Sequence, residues 1–223
     1  MSEPAELWSA VDAFFDGFLI GPDEALDAAV AASAAAGLPP IQVTPSQGKL
    51  LHLLARMIGA RQVLEIGTLG GYSTIWLARA LPPGGRVVTL EIDPTHARVA
   101  RASFERAGLA NRIDLLLGDA LDSLQSLAVG RPSFDLVFID ADKARIPEYF
   151  DWALRFGHPG SVIVVDNVVR EGAVLDDATA DADLQGIRRF VRQIATDKRV
   201  SATSVQTVGA KGHDGFVVAL VVG

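Results

Sequence analysis

The sequence predicts an α/β fold built on a mostly parallel seven-stranded sheet, with helices on both faces and an antiparallel hairpin at the C-terminal end. Three observations carry that expectation. Short, almost fully apolar runs at residues 62–66, 86–90, 113–117, 134–139 and 161–165 have the length and β-branched content of buried strands. Between them, residues of about 73–80, 94–107, 120–127 and 147–156 have helical periodicity, and this alternation builds a parallel sheet covered on both sides. The last two strand-like runs, 201–208 and 216–222, are joined only by Gly209-Ala-Lys-Gly-His-Asp-Gly215, too short for a crossover helix and suited to a hairpin.

Taken in order, residues 5–20 place Leu7, Val11, Phe14, Phe15, Phe18 and Leu19 at near-helical spacing. An Ala-rich stretch, 23–36, stops at Gly37-Leu-Pro-Pro, so two helices precede the main fold. A third spans 45–59, with Thr44 or Ser46 as its cap and Leu50, Leu53, Leu54, Met57 and Ile58 on its inner face. A last helix near 184–194 leads into the hairpin. No Pro/Gly/Ser-rich linker divides the 223 residues, which read as one domain. Residues 1–40 are expected to be N-terminal helices packing on the fold or on a dimer partner, with 41–223 as the main body.

Composition excludes several classes. The chain has 20 Lys and Arg against 27 Asp and Glu, a net charge of −7, and its arginines are scattered, which argues against a nucleic-acid partner. Cys is absent, so disulfides, thiolate zinc sites and cysteine nucleophiles are excluded. The opening Met-Ser-Glu-Pro-Ala-Glu is acidic where a signal peptide is basic, and no apolar stretch reaches the roughly 18 residues that span a bilayer. The expectation is a cytoplasmic protein with no membrane partner.

The chemistry is concentrated at strand ends. Val137-Phe-Ile-Asp-Ala-Asp-Lys143 and Ser161-Val-Ile-Val-Val-Asp166-Asn167 are buried strands that discharge carboxylate and amide oxygens at their carboxyl ends. Such a set, without a His or Cys cluster, suits a hard cation at the rim of a parallel sheet: magnesium, calcium or manganese in preference to zinc. Val63-Leu-Glu-Ile-Gly67-Thr-Leu-Gly70-Gly71-Tyr-Ser-Thr follows the first strand and opens a helix, a turn whose glycines allow close approach of a ligand. The second glycine of a dinucleotide fingerprint is missing, and Glu65 would repel phosphate but favour a cationic aminoacyl group. Glu91 ends the second strand, placed to accept hydrogen bonds from ribose hydroxyls. Together these favour S-adenosylmethionine, which carries an amino acid and a ribose but no phosphate. Asp119, after the third strand, reads both as a helix N-cap and as a neighbour of the adenine edge with Ala120.

At this point the chain resembles the cation-dependent S-adenosylmethionine O-methyltransferases of the catechol and caffeoyl-CoA type. The likeness runs from about Thr44 to the C-terminus, through Thr44-Pro-Ser-Gln-Gly-Lys, the glycine loop, Phe138-Ile-Asp-Ala-Asp-Lys143, Val165-Asp-Asn-Val and Gly209-Ala-Lys-Gly-His-Asp-Gly215. It implies a single-domain Rossmann-like methyltransferase fold, and a divalent cation, usually magnesium, held by Asp140, Asp166 and Asn167. Lys143 would be the general base, with Asp140 beside it. Val43, Glu65, Gly67, Thr68, Ser73, Glu91, Ala120 and Asp140 would contact the cofactor, and the acceptor would be a small vicinal dihydroxy aromatic. The family commonly forms homodimers, which suits the Phe-rich first helix; the alternative is that this helix covers its own sheet.

Asp142 is expected to cap the helix after Lys143 or to orient that lysine. His52, His96, His158 and His213 are not assigned to metal, and Trp8, Trp76 and Trp152 are read as core or interface. Ala141-Asp142 replaces the His-Trp pair of the mammalian catechol enzymes, which removes the basis for catecholamine selectivity. The acidic segment 168–183 disfavours a CoA thioester unless Arg170, Arg188 or Lys211 compensates. Two other functions are kept beside this one: a nicotinamide-dependent oxidoreductase, and a non-catalytic S-adenosylmethionine-binding protein.

Overall fold

A computed structural model describes residues 4–223; the first three residues, part of the acidic opening segment, lie outside the described residues. Seven strands form one sheet: β1 (Gln62–Ile66), β2 (Arg86–Glu91), β3 (Ile113–Leu117), β4 (Leu136–Ile139), β5 (Val162–Asp166), β6 (Val200–Gly209) and β7 (Gly212–Val221). Their order is β3-β2-β1-β4-β5-β7-β6, with the first five parallel and β7 antiparallel to both its neighbours. The chain winds outward one way through β2 and β3 and the other way through β4 and β5. The carboxyl ends of β1 and β4 therefore flank the crevice where such sheets bind ligands.

Strand alternation divides the core in two. Val63, Val87 and Phe138 face one cluster, closed by α2 (Glu24–Ala35), α3 (Pro45–Met57), α4 (Tyr72–Ala80) and α5 (Pro94–Arg106). Leu64, Val137 and Ile163 face the other, closed by α6 (Ala120–Leu127), α7 (Ile146–Phe156) and α8 (Ala182–Thr196), where Phe150 and Phe190 meet edge-on at 5.1 Å. Helix starts follow the capping chemistry of the sequence. The Asp23 carboxylate accepts the Ala25 and Leu26 amides, and Thr44, not Ser46, caps α3 by accepting the Gln47 amide at 3.2 Å.

Among the boundaries that differ from the expectation are those of the hairpin, β4 and β5. The hairpin turn is only Ala210-Lys211, and β7 runs straight through Gly-His-Asp-Gly. Gly215 lies so close to the Val205 carbonyl across the hairpin that a Cβ would collide, so this glycine serves strand packing and not a turn. β4 starts at Leu136 because the Phe134 amide bonds the Phe156 carbonyl at 2.9 Å, outside the ladder. β5 extends to Asp166, which pairs in register with Phe216.

The first helix, α1 (Pro4–Leu19), touches α3 and β6 but buries none of its residues, and Phe18 is 78% exposed. Its polar side does the docking. Asp12 accepts the Ala210 amide at 2.8 Å, and Asp16 accepts the Ser46 hydroxyl at 2.6 Å. Its apolar face is thus not spent on its own sheet. Among the described residues no helix is long and apolar enough to cross a membrane.

Candidate active site

Parallel register sets the site. Ile66 pairs with Ile139 and Ile139 with Val165, so the next residues, Gly67, Asp140 and Asp166, leave three adjacent strands side by side. Gly67 adopts φ +100°, and a Cβ there would strike the Asp140 carbonyl; only glycine lets the loop lie against that strand end. Asn167 follows in the left-handed region at φ +56°, a conformation asparagine tolerates.

Asp166 is 4% exposed. One of its carboxylate oxygens accepts the Gln47 amide at 2.6 Å and the other the Asn167 backbone N–H at 2.9 Å. Burial, with the Asp140 charge adding to it, pushes its pKa up to about 7. Among the described residues no group of three or more His, Cys, Asp or Glu gathers to hold an ion. The set here is two carboxylates with the Asn167 amide as third donor. All its donors are oxygens, and its two neighbouring carboxylates disfavour one another, an imbalance that a hard divalent cation would relieve. The residues fit such a cation.

Lys143 opens the short 3-10 turn Lys143–Arg145, and its Nζ lies 2.7 Å from Asp140 Oδ1 with the residue only 6% exposed. α8 clamps this turn. Gly186 packs against the Lys143 carbonyl, where a Cβ would collide, the Asp183 carboxylate accepts the Ala144 amide at 3.0 Å, and Arg189 donates to the Ala144 carbonyl at 2.7 Å. The role expected of Asp142 is corrected: it makes no side-chain cap bond and does not pair with Lys143. Its carboxylate instead receives Arg145 at 2.8 Å and the Tyr149 hydroxyl, while Arg145 reaches on to Asp119 at 2.7 Å.

On the other side of Gly67 the glycine loop is held from below. Glu65 is fully buried, and it does not itself line the cleft. Its carboxylate accepts the hydroxyls of Ser73 at 2.6 Å, Thr89 at 2.6 Å and Thr74. Burial outweighs these donors and raises its pKa to about 7. Ser73, anchored by Glu65, is the member that lines the cleft. Glu91 accepts the amides of Thr68 at 3.2 Å, Leu69 at 2.7 Å and Asp93 at 2.9 Å, which fixes the loop and the start of α5 together. Asp119 caps α6 through the Leu121 amide and pairs with Arg145; Ala120, not Asp119, lines the cleft.

One cleft of about 1110 Å³ unites Val43, Gly67, Thr68, Ser73, Glu91 and Ala120 with Asp140, Lys143, Asp166 and Asn167. It is large enough for a nucleoside-sized ligand and a small aromatic together. Gln47, Tyr149, Arg170, Lys211 and Asp214 also line it. Of these, Gln47 carries a signal in the Thr44-Pro-Ser-Gln-Gly-Lys segment, but its contact with Asp166 joins residues far apart in the chain. His96 lines the cleft 3.5 Å from Glu91, remote in sequence from the acidic pair, and Trp76 belongs to the core.

Residues 22–220 match the family described as O-methyltransferase. The chain is 56% identical over 211 residues to a catechol O-methyltransferase of Mycobacterium tuberculosis, covering 95% of this chain and 94% of that protein. It is 48% identical to one from Niastella koreensis, covering 97% and 98%. The solved O-methyltransferase from Bacillus cereus in complex with SAH superposes with a TM-score of 0.96 at 54% identity, covering 97% of this chain and 99% of that one. The O-methyltransferase TomG of Streptomyces achromogenes, in complex with SAM, gives 0.96 at 52% identity, covering 99% and 100%.

Proposed function

This chain belongs to the O-methyltransferase family, and on that premise we propose that it moves the methyl group of S-adenosylmethionine to one hydroxyl of a small vicinal dihydroxy aromatic, assisted by a divalent cation, magnesium in the first instance. The observation that supports this most is the meeting of Asp140, Asp166 and Asn167 with Lys143 Nζ, 2.7 Å from Asp140, inside the cleft that continues to Ser73 and Glu91.

Asp140, Asp166 and Asn167 would hold the cation, which when bound supplies concentrated positive charge that favours an ionised phenol. Gln47 fixes the orientation of Asp166 by occupying one of its oxygens. Lys143, as the neutral amine once Asp140 is engaged by the cation, would receive the hydroxyl proton at Nζ, its position set by Asp140 and by the α8 clamp. The acceptor oxygen then forms a bond to the methyl carbon as the sulfur–carbon bond breaks, and the sulfonium charge is lost as the neutral thioether leaves. The glycine loop and Ser73 hold the methyl donor in line. Orientation of two bound reactants is worth about 7–11 kcal/mol of the barrier, so most of the work asked of these residues is positioning.

The test is methyl transfer to catechol, caffeate and flavonoid acceptors, with EDTA and then with magnesium restored. Turnover indifferent to chelation rejects the mechanism. Family membership removes the nicotinamide alternative. A non-catalytic binder would take up S-adenosylmethionine yet methylate none of these acceptors.

The reading extends to a cytoplasmic homodimer. The absence of Cys fits a reducing compartment. Exposed Leu7, Phe14, Phe15 and Phe18 on α1 form the kind of apolar face that a second copy would cover.

A further inference from the structure

We propose that Lys211 and Arg170 form a carboxylate-binding subsite at the acceptor end of the cleft, so that the preferred substrates are vicinal dihydroxy aromatics carrying a carboxylate. This rests on the methyl-transfer reading above and narrows its substrate class.

The cations left without a partner inside the cleft carry the inference. The lining carboxylates all have partners. At the acceptor end, Asp12 accepts the Ala210 amide, Asp183 the Ala144 amide, and Asp214 the amides of Val169 at 3.1 Å and Arg170 at 3.0 Å. The cations deeper in the cleft are paired as well, Lys143 with Asp140 and Arg145 with Asp119 and Asp142. Arg170 and Lys211 also line the cleft, yet among the described residues neither side chain has an ion-pair or hydrogen-bond partner. Asp12, Asp183 and Asp214 keep their charge, since their donors are neutral amides, and the two cations are the charged lining groups left with no partner of their own, in a protein of net charge −7.

Their placement is built. Arg170 and Glu171 adopt φ +54° and +55°, left-handed values that are unfavourable for side chains of this size, and are followed by Gly172 at +85°. Asp214, from β7, holds this strained turn by its bonds to the two amides. Lys211 occupies the two-residue hairpin tip, which Asp12 of α1 pins through the neighbouring Ala210 amide. The lysine is solvent-accessible as a whole, but desolvation in the cleft lowers its pKa, opposed by the charges of Asp140 and Asp166. It is thus within electrostatic reach of the centre where the hydroxyls would sit. An acceptor anchored there by two oxygens would leave its ring substituent free to reach the wall that the two cations line.

The experiment measures kcat/KM for 3,4-dihydroxybenzoate, its neutral amide and 3,4-dihydroxybenzylamine, with magnesium and saturating S-adenosylmethionine. The wild-type protein is expected to favour the acid over the amine. Lys211→Gln and Arg170→Gln should each lower the acid-to-amide ratio by about tenfold, the worth of one partly screened charge contact. Lys211→Arg should keep the ratio, and Lys211→Glu should invert the preference toward the amine. Comparing ratios between proteins cancels the intrinsic reactivity of each acceptor and any general loss of activity from misfolding. Equal losses on acid and amide, or an unchanged ratio, overturn the subsite while leaving methyl transfer standing. A wild-type protein that methylates none of the three overturns the underlying reading and the subsite with it.

Discussion

Replacing Glu65 by Gln tests how this fold keeps a carboxylate beneath its cofactor loop. Glu65 has no exposed surface, and among the described residues its compensation is three hydroxyl donors, from Ser73, Thr74 and Thr89. Burial raises its carboxyl from 4.5 to about 7 in the folded protein, with the Asp140 charge as a lesser contribution in the same direction. The folded state therefore keeps a proton that the unfolded chain has already released. The associated stability is fully present below about pH 4.5 and is lost as the pH rises to about 7, in total about 3 kcal/mol. Gln keeps the shape and cannot ionise, so it removes this dependence. Asp166, also raised to about 7, titrates in both proteins and cancels in their difference. Urea unfolding of both proteins, without cofactor and with EDTA, at about pH 5 and about pH 8 gives the quantity needed. The wild type should lose about 2.5 kcal/mol relative to the Gln variant between those values. A gap that stays flat within about 0.5 kcal/mol, or that moves in favour of the wild type as pH rises, refutes the claim that a dry carboxylate sits under the loop.

Asp166→Ala should reduce magnesium-dependent turnover by at least about a hundredfold while changing S-adenosylmethionine affinity by less than about threefold; calorimetry beside the methyl-transfer assay separates the two, and equal losses would mean that the residue serves the cofactor. Lys143→Met should lower kcat by about 10²–10⁴-fold with little change in cofactor binding, read by single-turnover kinetics. Phe18→Glu, at a position 78% exposed, should leave monomer stability within about 0.5 kcal/mol and shift sedimentation from dimer to monomer; a variant that sediments as the wild type does removes α1 from the interface.

Much of the site was legible because its groups sit where a one-dimensional pattern ends. Asp140, Asp166 and Asn167 interrupt apolar runs, and parallel pairing then sets them side by side without further information. The glycine loop was legible for the same reason, since Gly67 must pass the Asp140 carbonyl without a side chain. What stayed hidden depended on packing between distant segments. Gln47 reaches Asp166 across 119 positions, and nothing in the run from Val63 to Ile66 announces that Glu65 lies under a lid of three hydroxyls. The hairpin was misjudged in length because Gly212 and Gly215 look like turn residues, whereas Gly215 relieves a cross-strand collision. Asp142 was misassigned because its neighbour Lys143 is nearer in sequence than Arg145 and Tyr149, which claim it in space.

The bond from Asp12 to the Ala210 amide joins the two extremities of the polypeptide, 198 positions apart, across one wall of the binding cleft. α1 precedes residues 22–220, the stretch that matches the family description, so the helix that steadies this wall stands outside the part by which the family is recognised. A change in the opening helix would therefore shift the hairpin tip and the company it keeps without disturbing the strand termini on which alkylation depends. That tether makes the helix a place to randomise when new acceptors are sought by directed evolution.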